Sequence, residues 1–262
     1  MLSEWAKAVR KTARGRLVIH HRTGDDCWLD LVVAYWEGML PDAQPVPSSK
    51  FARVHRRGNL YFKRYLVRDW RDAVKNVFRA SRARRALESG MMVASLGFHI
   101  PQPVCLIEGH GQSALLTEAI ADAPNVRDWL NKPEFGVAAC RPRKRTLLRA
   151  LAQEVAAWHN AGLHHADMRV GNILCRAEGG RWTLFWLDNE AVRHYARLPE
   201  SQRVHNLMQI NMEQFGVSLT DRLFFWKCYA AKAGISAAAG RRIIRRVMRY
   251  TQRRWRQRGW LK

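Results

Sequence analysis

The stretch "GLHHADMRVGNILCRAEGGRWTLFWLDNEAVR", residues 162–193, sets two aspartates, an asparagine and a histidine among small and apolar residues. His165-Ala166-Asp167 is followed five residues after the aspartate by Asn172. The apolar run Leu184–Leu187, read as a strand, then ends in Asp188. Phosphoryl transfer asks for these side chains: a carboxylate to take or orient the proton of an attacking hydroxyl, and oxygen ligands to hold Mg²⁺ against the phosphates. Asp167 is the candidate base, with His165 beside it, and Asn172 and Asp188 are the candidate metal ligands. Arg169, two residues after the base, could neutralise charge on the transferring group. The spacing H-x-D-x-x-x-x-N, with an aspartate at the end of the next strand, follows the protein-kinase catalytic pattern.

Upstream, three features agree with that reading. Phe51–His55 alternates, Arg57-Gly58-Asn59 turns, and "LYFKRY" (60–65) alternates again, which predicts a β-hairpin with Lys63 inside its second strand. A nucleotide-binding lysine of a kinase lies on such a strand. Glu88 is the sole acid in the helical stretch 73–96 and could pair with Lys63. The apolar segment "ALLTEAI" (114–120) leads into a short connector, where backbone groups near Glu118 and Ile120 could read an adenine edge. No G-x-G-x-x-G precedes Lys63, so the phosphate-facing turn is assigned to "PVPSSK" (45–50), with Ser48 and Ser49. Neither D-F-G nor A-P-E is present, which argues against a protein substrate.

The remaining pattern predicts an α+β chain of bilobal, protein-kinase-like fold. A small β-rich lobe with one helix spans 1–118, and a larger helical lobe spans 119–262. The first 40 residues read as helical or irregular, and 41–50 as a turn-rich break. Leu147, Leu148, Leu151, Val155 and Trp158 recur at helical spacing.

Composition narrows the class. With 262 residues and 47% apolar side chains, the chain can bury a real core. No run of about 18 apolar residues suggests a membrane span, and no secretory signal is read at the N-terminus. Five scattered cysteines without a C-x-x-C argue against a disulfide framework or zinc site and fit a reducing cytoplasm. Lysine and arginine number 45 against 22 acids, a net +23, so polyanions are the expected partners: nucleic acid, an anionic membrane surface or a phosphorylated ligand.

"YFKRY", "RARRALESG…LGFHIPQPV", "SALLTEAI", "GLHHADMRVGNIL", "FWLDNEAVR" and "GVSLTDRLFFWKCYAA" together resemble the lipopolysaccharide kinase family of Kdo and heptose kinases, over roughly 50–230. The last segment is the most telling, because generic kinase-like folds lack it. The resemblance implies an ATP- and Mg²⁺-dependent kinase. Its acceptor would be a sugar hydroxyl, Kdo or heptose, of the lipid A-linked inner core, at the cytoplasmic face of the inner membrane. It makes Asp167 the base, Asn172 and Asp188 metal ligands and Lys63 the nucleotide cation. Against the family pattern, the helix glutamate falls nearer Ala86 than Glu88, a second acid is supplied by Glu190, and a later aspartate is replaced by Asn206.

Two other readings stand beside it. A soluble small-molecule kinase of the aminoglycoside or choline type shares the H-x-D and the hinge, but usually carries an acidic substrate lobe. A non-catalytic kinase-like protein could bind nucleic acid through "RPRKR" (141–145) and the C-terminal arginines. Intact Lys63, Asp167, Asn172 and Asp188 make nucleic acid the weaker partner. Finally, Ile243, Ile244, Val247, Met248, Thr251 and Trp255 form an apolar stripe in 241–258, with nine arginines and no acid around them. That is a basic amphipathic helix, suited to packing on the helical lobe, to anionic lipid, or to both.

Overall fold

Alternating apolar residues build the N-terminal part, and 3.6-residue periodicity builds the C-terminal part. The computed structural model describes residues 5–12, 15–22, 28–48, 50–66, 79–109 and 111–260. Contacts between Cα atoms divide the chain into two compact units, Met1–Ala121 and Asp122–Lys262.

The first unit is a seven-stranded antiparallel sheet. Its strands are β1 (Trp5–Thr12), β2 (Gly15–Arg22), β3 (Gln44–Val46), β4 (Ala52–Arg57), β5 (Leu60–Tyr65), β6 (Pro103–Gly109) and β7 (Gln112–Glu118), in the order β1-β2-β6-β7-β5-β4-β3. The expected hairpin is β4–β5, with Arg57 opposite Leu60. Gly58 has the positive φ (+55°) that a two-residue loop demands at its first central position. The first 40 residues depart from the expectation of helix or irregular chain, because β1 and β2 form a hairpin before α1 (Leu29–Glu37) begins. β1 is an edge strand, and its Lys7, Arg10 and Lys11 break up the alternation that would have betrayed it. Within the expected break at 41–50, Gln44–Val46 adds a short edge strand, where Pro45 is tolerated.

Side-chain parity places the two described helices of this unit on opposite sheet faces. α1 packs Leu29, Val32, Tyr35 and Trp36 against Leu17, Ile19, Phe62, Cys105 and Leu116. α2 (Arg82–Ser95) packs Ala83, Ala86 and Leu87 against Tyr65, Leu106 and Leu115. Lys63 shares parity with Tyr65 and lies opposite Leu115, so it belongs to the α2 face.

In the second unit, α3 (Val126–Leu130) and two short 3₁₀ turns precede α4 (Arg141–Asn160). Leu147, Leu148, Leu151, Val155 and Trp158, the apolar set expected from spacing, are all buried. β8 (Leu163–His164) pairs with β11 (Arg193–His194), and β9 (Ile173–Glu178) with β10 (Arg181–Trp186). Helices α5 (Glu200–Asn211), α6 (Leu219–Lys232) and α7 (Ala237–Gln257) complete it. Trp158 and Trp186, both fully buried, stack with ring centroids 4.1 Å apart at the centre. A capping box at Ser218 and Asp221 starts α6, and the same aspartate receives the buried Lys144 ammonium at 2.7 Å. α7 buries Ile243, Val247 and Thr251 and leaves most of its arginines exposed. Among the described residues, no helix is long and apolar enough to cross a membrane.

One glycine between α4 and β8 has no substitute. Gly162 has φ +75°, and a Cβ there would sit 2.0 Å from the Tyr195 carbonyl oxygen. The same two residues are joined by a Tyr195 N–H donating to the Gly162 carbonyl at 2.9 Å. Gly162→Ala is expected to cost more than the roughly 1–3 kcal/mol of left-handed strain alone. Urea unfolding measures it, and an unchanged midpoint would contradict the close approach.

Candidate active site

The residues from His165 to Asn172 form a loop between β8 and β9, and the apolar strand β10 delivers Asp188 just after it. Leu187 fastens that strand end to the loop. Its N–H donates to the Asn172 carbonyl at 3.0 Å, and its carbonyl faces His165 Nε2 at 2.9 Å. The Asp167 N–H donates to His165 Nδ1 at 3.1 Å. One ring nitrogen therefore accepts and the other donates, which defines the neutral tautomer. Burial lowers the His165 pKa and favours that neutral form, against the opposing pull of Leu187 and the two aspartates. His165 is 1% exposed, so it orders the loop and presents no nitrogen to a substrate.

Asp167 is the carboxylate at the loop's open side. Arg169 donates to it twice, Nε to Oδ1 at 2.6 Å and Nη2 to Oδ2. Asn172 Nδ2 donates to its Oδ2 at 3.0 Å and to its backbone carbonyl at 2.9 Å. Burial would raise the Asp167 pKa, but the Arg169 guanidinium and Asn172 amide outweigh it and hold the carboxyl below its ordinary value. A carboxylate has about four lone-pair sites, so these three bonds leave room for one more donor. The arrangement can accept a hydrogen bond from an incoming hydroxyl without giving up its charge. Arg169 is exposed, and its guanidinium is engaged by Asp167 rather than standing as a lone cation.

Asn172 spends its amide N–H groups on Asp167, which leaves its Oδ1 as a hard oxygen donor. Asp188 is exposed and sits in the left-handed region at φ +59°. An amide oxygen and a carboxylate suit Mg²⁺, which takes few protein ligands beside phosphates and water. Among the described residues no cluster of three His, Cys, Asp or Glu forms a ready-made cage for another metal.

The side chains that hold this loop from behind come from α5. Asn206 is fully buried; it accepts from the His165 N–H at 3.2 Å and donates to the His165 carbonyl at 2.5 Å. Gln209 accepts from the Met168 N–H at 2.9 Å and donates to the Ala166 carbonyl at 2.7 Å. Sequence reading noted Asn206 only as a departure and missed Gln209. Two amides at i, i+3 in "VHNLMQIN" were the available signal.

A buried relay continues from Asn206. His159 Nε2 lies 3.4 Å from Asn206 Oδ1, His159 Nδ1 lies 2.7 Å from the Tyr229 hydroxyl, and Arg203 donates to that hydroxyl at 2.5 Å. Burial, with help from Arg203, pushes the His159 pKa down to about 3. The unfolded ring charges near 6.5, so this contribution to stability is complete above about pH 6.5 and declines as pH falls toward 3. At pH 5 the loss is roughly 2 kcal/mol for this one ring. His159→Gln is expected to flatten the fall in urea midpoint between pH 7 and pH 5; an equally steep fall would place the acid sensitivity elsewhere.

The remaining expected residues lie in the first unit. Lys63 is half-buried on β5, its Nζ 5.2 Å from the Tyr65 ring centroid. Glu88 does not meet it. Helix α2 turns Ala86 to the sheet face that carries Lys63 and leaves Glu88 exposed, where its field falls on Arg84. The N–H groups of Glu118 and Ala119 are used locally, on the Gln102 and Asn59 carbonyls, both at 2.9 Å. Ile120 follows them outside the sheet. The Ser48 hydroxyl donates to the Ala52 carbonyl at 2.9 Å and closes its own turn. Ser49 lies outside the described residues.

A 3-deoxy-D-manno-octulosonic acid kinase of Vibrio parahaemolyticus is 27% identical over 136 residues, covering 50% of this chain and 52% of that one. The enzyme of the same name from Vibrio vulnificus is 28% identical over 141 residues, with the same shares. The chain thus spans about half the length of the curated relatives it matches. The solved structure of WaaP in complex with acyl carrier protein aligns over 82% of this chain and 88% of its own, at 18% identity and a TM-score of 0.54. The fold is therefore of the α+β, protein-kinase-like class expected from the sequence. Residues 47–229 match the lipopolysaccharide kinase (Kdo/WaaP) family, and the chain belongs to that family.

Proposed function

We propose that this protein is an ATP- and Mg²⁺-dependent kinase that phosphorylates a sugar hydroxyl, on Kdo or heptose, of the lipid A-linked inner core. The observation that carries the reading is the Asp167 carboxylate: held ionised by Arg169 and Asn172, with one acceptor site left, on a loop tied to the strand that delivers Asp188. Asp167 takes the hydrogen bond of the attacking hydroxyl and orients its lone pair toward the phosphorus. His165, Asn206 and Gln209 are positioning residues that fix the loop. Asn172 Oδ1 and the Asp188 carboxylate would hold the metal, which when bound would supply positive charge against the phosphate oxygens.

In the first unit, Lys63 is the cation for the nucleotide phosphates, and the backbone around Ile120 reads the base. The Ser48 proton is spent on the Ala52 carbonyl, so this hydroxyl shapes the turn and offers the phosphates no donor. Glu88 drops out of the nucleotide site. The exposed arginines of α7, among them Arg245, Arg249 and Arg256, favour an acceptor embedded in an anionic surface at the inner face of the inner membrane. The test is transfer of labelled γ-phosphate from ATP to Kdo-lipid A or heptosylated lipid A, paired with mass spectrometry of lipopolysaccharide from a deletion strain. One missing phosphate that returns with the wild-type protein supports the reading. Unaltered lipopolysaccharide together with no transfer to either acceptor would overturn it.

A further inference from the structure

Beside the catalytic loop, α5 and α7 enclose a cleft of about 420 Å³ that the proposed chemistry leaves unused. That volume is within the range of small-ligand sites, about 300–1,000 Å³. α5 contributes Ser201 and His205; α7 contributes Arg246, Tyr250, Arg253 and Arg254. The four α7 positions are i, i+4, i+7 and i+8, so they share one helix face. Glu200 stands at the α5 start, but its carboxylate is occupied by Arg242 at 2.5 Å and Arg246 at 2.7 Å. Among the described residues, no carboxylate lies within ion-pair distance of Arg253 or Arg254. The cleft therefore offers two guanidinium groups, a phenol and a hydroxyl with no anion of the protein's own to meet them.

Its position is tied to the reacting end of the unit. His205 Nδ1 lies 3.2 Å from His164 Nε2, and His164 adjoins His165 in the loop. His205 also feels both sides: apart from burial, Arg254 lowers its pKa and Asp167 raises it. The cleft thus shares His205 with the residues that back the catalytic loop.

We infer that the α5–α7 cleft is an anion subsite that holds a carboxylate or phosphate of the acceptor glycan. This rests on the kinase reading above, and it adds the part of the acceptor that is recognised and the residues that recognise it. Planar guanidinium forks suit either oxyanion, because both present paired oxygens.

The experiment uses the double variant Arg253→Gln/Arg254→Gln in the full chain, with Lys227→Gln/Arg241→Gln as a control that removes the same charge from exposed positions outside the cleft. Binding of de-acylated lipid A–core oligosaccharide, of free 3-deoxy-D-manno-octulosonic acid and of inorganic phosphate is followed by calorimetry, in the absence of any membrane. The cleft variant is expected to bind the oligosaccharide at least about tenfold more weakly, from loss of charge-assisted hydrogen bonds. The control is expected to bind normally. Competition by the free sugar acid assigns the carboxylate, and competition by phosphate assigns the phosphate. KM for lipid-linked acceptor should rise by the same factor, with KM for ATP and acceptor-free ATP hydrolysis unchanged. Unaltered oligosaccharide binding by the cleft variant, or equal loss in the control, would overturn the subsite. Wild-type protein that binds the oligosaccharide through these arginines but transfers no phosphate would instead overturn the kinase reading and keep the cleft.

Discussion

Asp167→Asn is expected to lower turnover by about 10²–10⁴-fold, the usual worth of a positioned base, while leaving ATP affinity within a few-fold of wild type. The amide cannot carry the charge that Arg169 and Asn172 now hold in place, and it offers the acceptor hydroxyl a weaker, neutral partner. Nothing in the proposed nucleotide site changes, because Lys63 and Ile120 belong to the other unit of the chain. Activity within about tenfold of wild type in a folded variant would remove Asp167 from the chemistry. A companion change separates the carboxylate from its support. Arg169→Gln removes the group that offsets burial, so the Asp167 pKa rises. The reactive form is the ionised one, present above that pKa, so the acid limb of kcat/KM moves to higher pH. An acid limb that stays in place would show that Arg169 does not set the charge of Asp167.

How far the sequence alone reaches depends on how local each signal is. The β4–β5 hairpin and α4 are written in short-range patterns, two-residue alternation around Gly58 and a 3.6-residue apolar stripe, and both were legible. The β1–β2 hairpin was not, because an edge strand exposes one face and its lysines and arginine erase the period. The H-x-D-x-x-x-x-N loop was legible because its members are close in sequence and chemically distinctive. Whether Glu88 can pair with Lys63 depends on which face of the helix meets the sheet, and helical phase decides that. Ala86, two residues earlier, is the one turned inward. The supports of the loop were the hardest to foresee. Asn206 and Gln209 lie some forty residues downstream of the atoms they hold, and amides that bond backbone leave no pattern of charge or hydropathy. The α5–α7 cleft escaped for a related reason. The 241–258 segment reads as an apolar stripe ringed by arginines, and nothing in that pattern tells that Glu200 neutralises part of the ring while, among the described residues, no acid pairs with Arg253 or Arg254.

Asp188→Asn should fail in a different way from Asp167→Asn. Its backbone is in the left-handed region, φ +59°, a conformation that asparagine tolerates and most other residues resist. The substitution therefore removes charge with little added strain, where Asp188→Ala would mix the two effects. With a neutral amide in its place, the half-saturating Mg²⁺ concentration is expected to rise at least tenfold, since even partners that only orient a metal ligand are worth about 10–100-fold in affinity. At saturating Mg²⁺, turnover should still lie on the order of 10²–10³-fold below wild type, because one fixed charge facing the phosphates has gone. Asp167→Asn, by contrast, should keep its Mg²⁺ midpoint and lose only turnover. The two profiles distinguish a base from a metal ligand without a bound ion in view. An unshifted Mg²⁺ midpoint in folded Asp188→Asn would detach this aspartate from the metal, and the hydrogen bonds of Leu187 to Asn172 and His165 would then be read as tying a strand end alone.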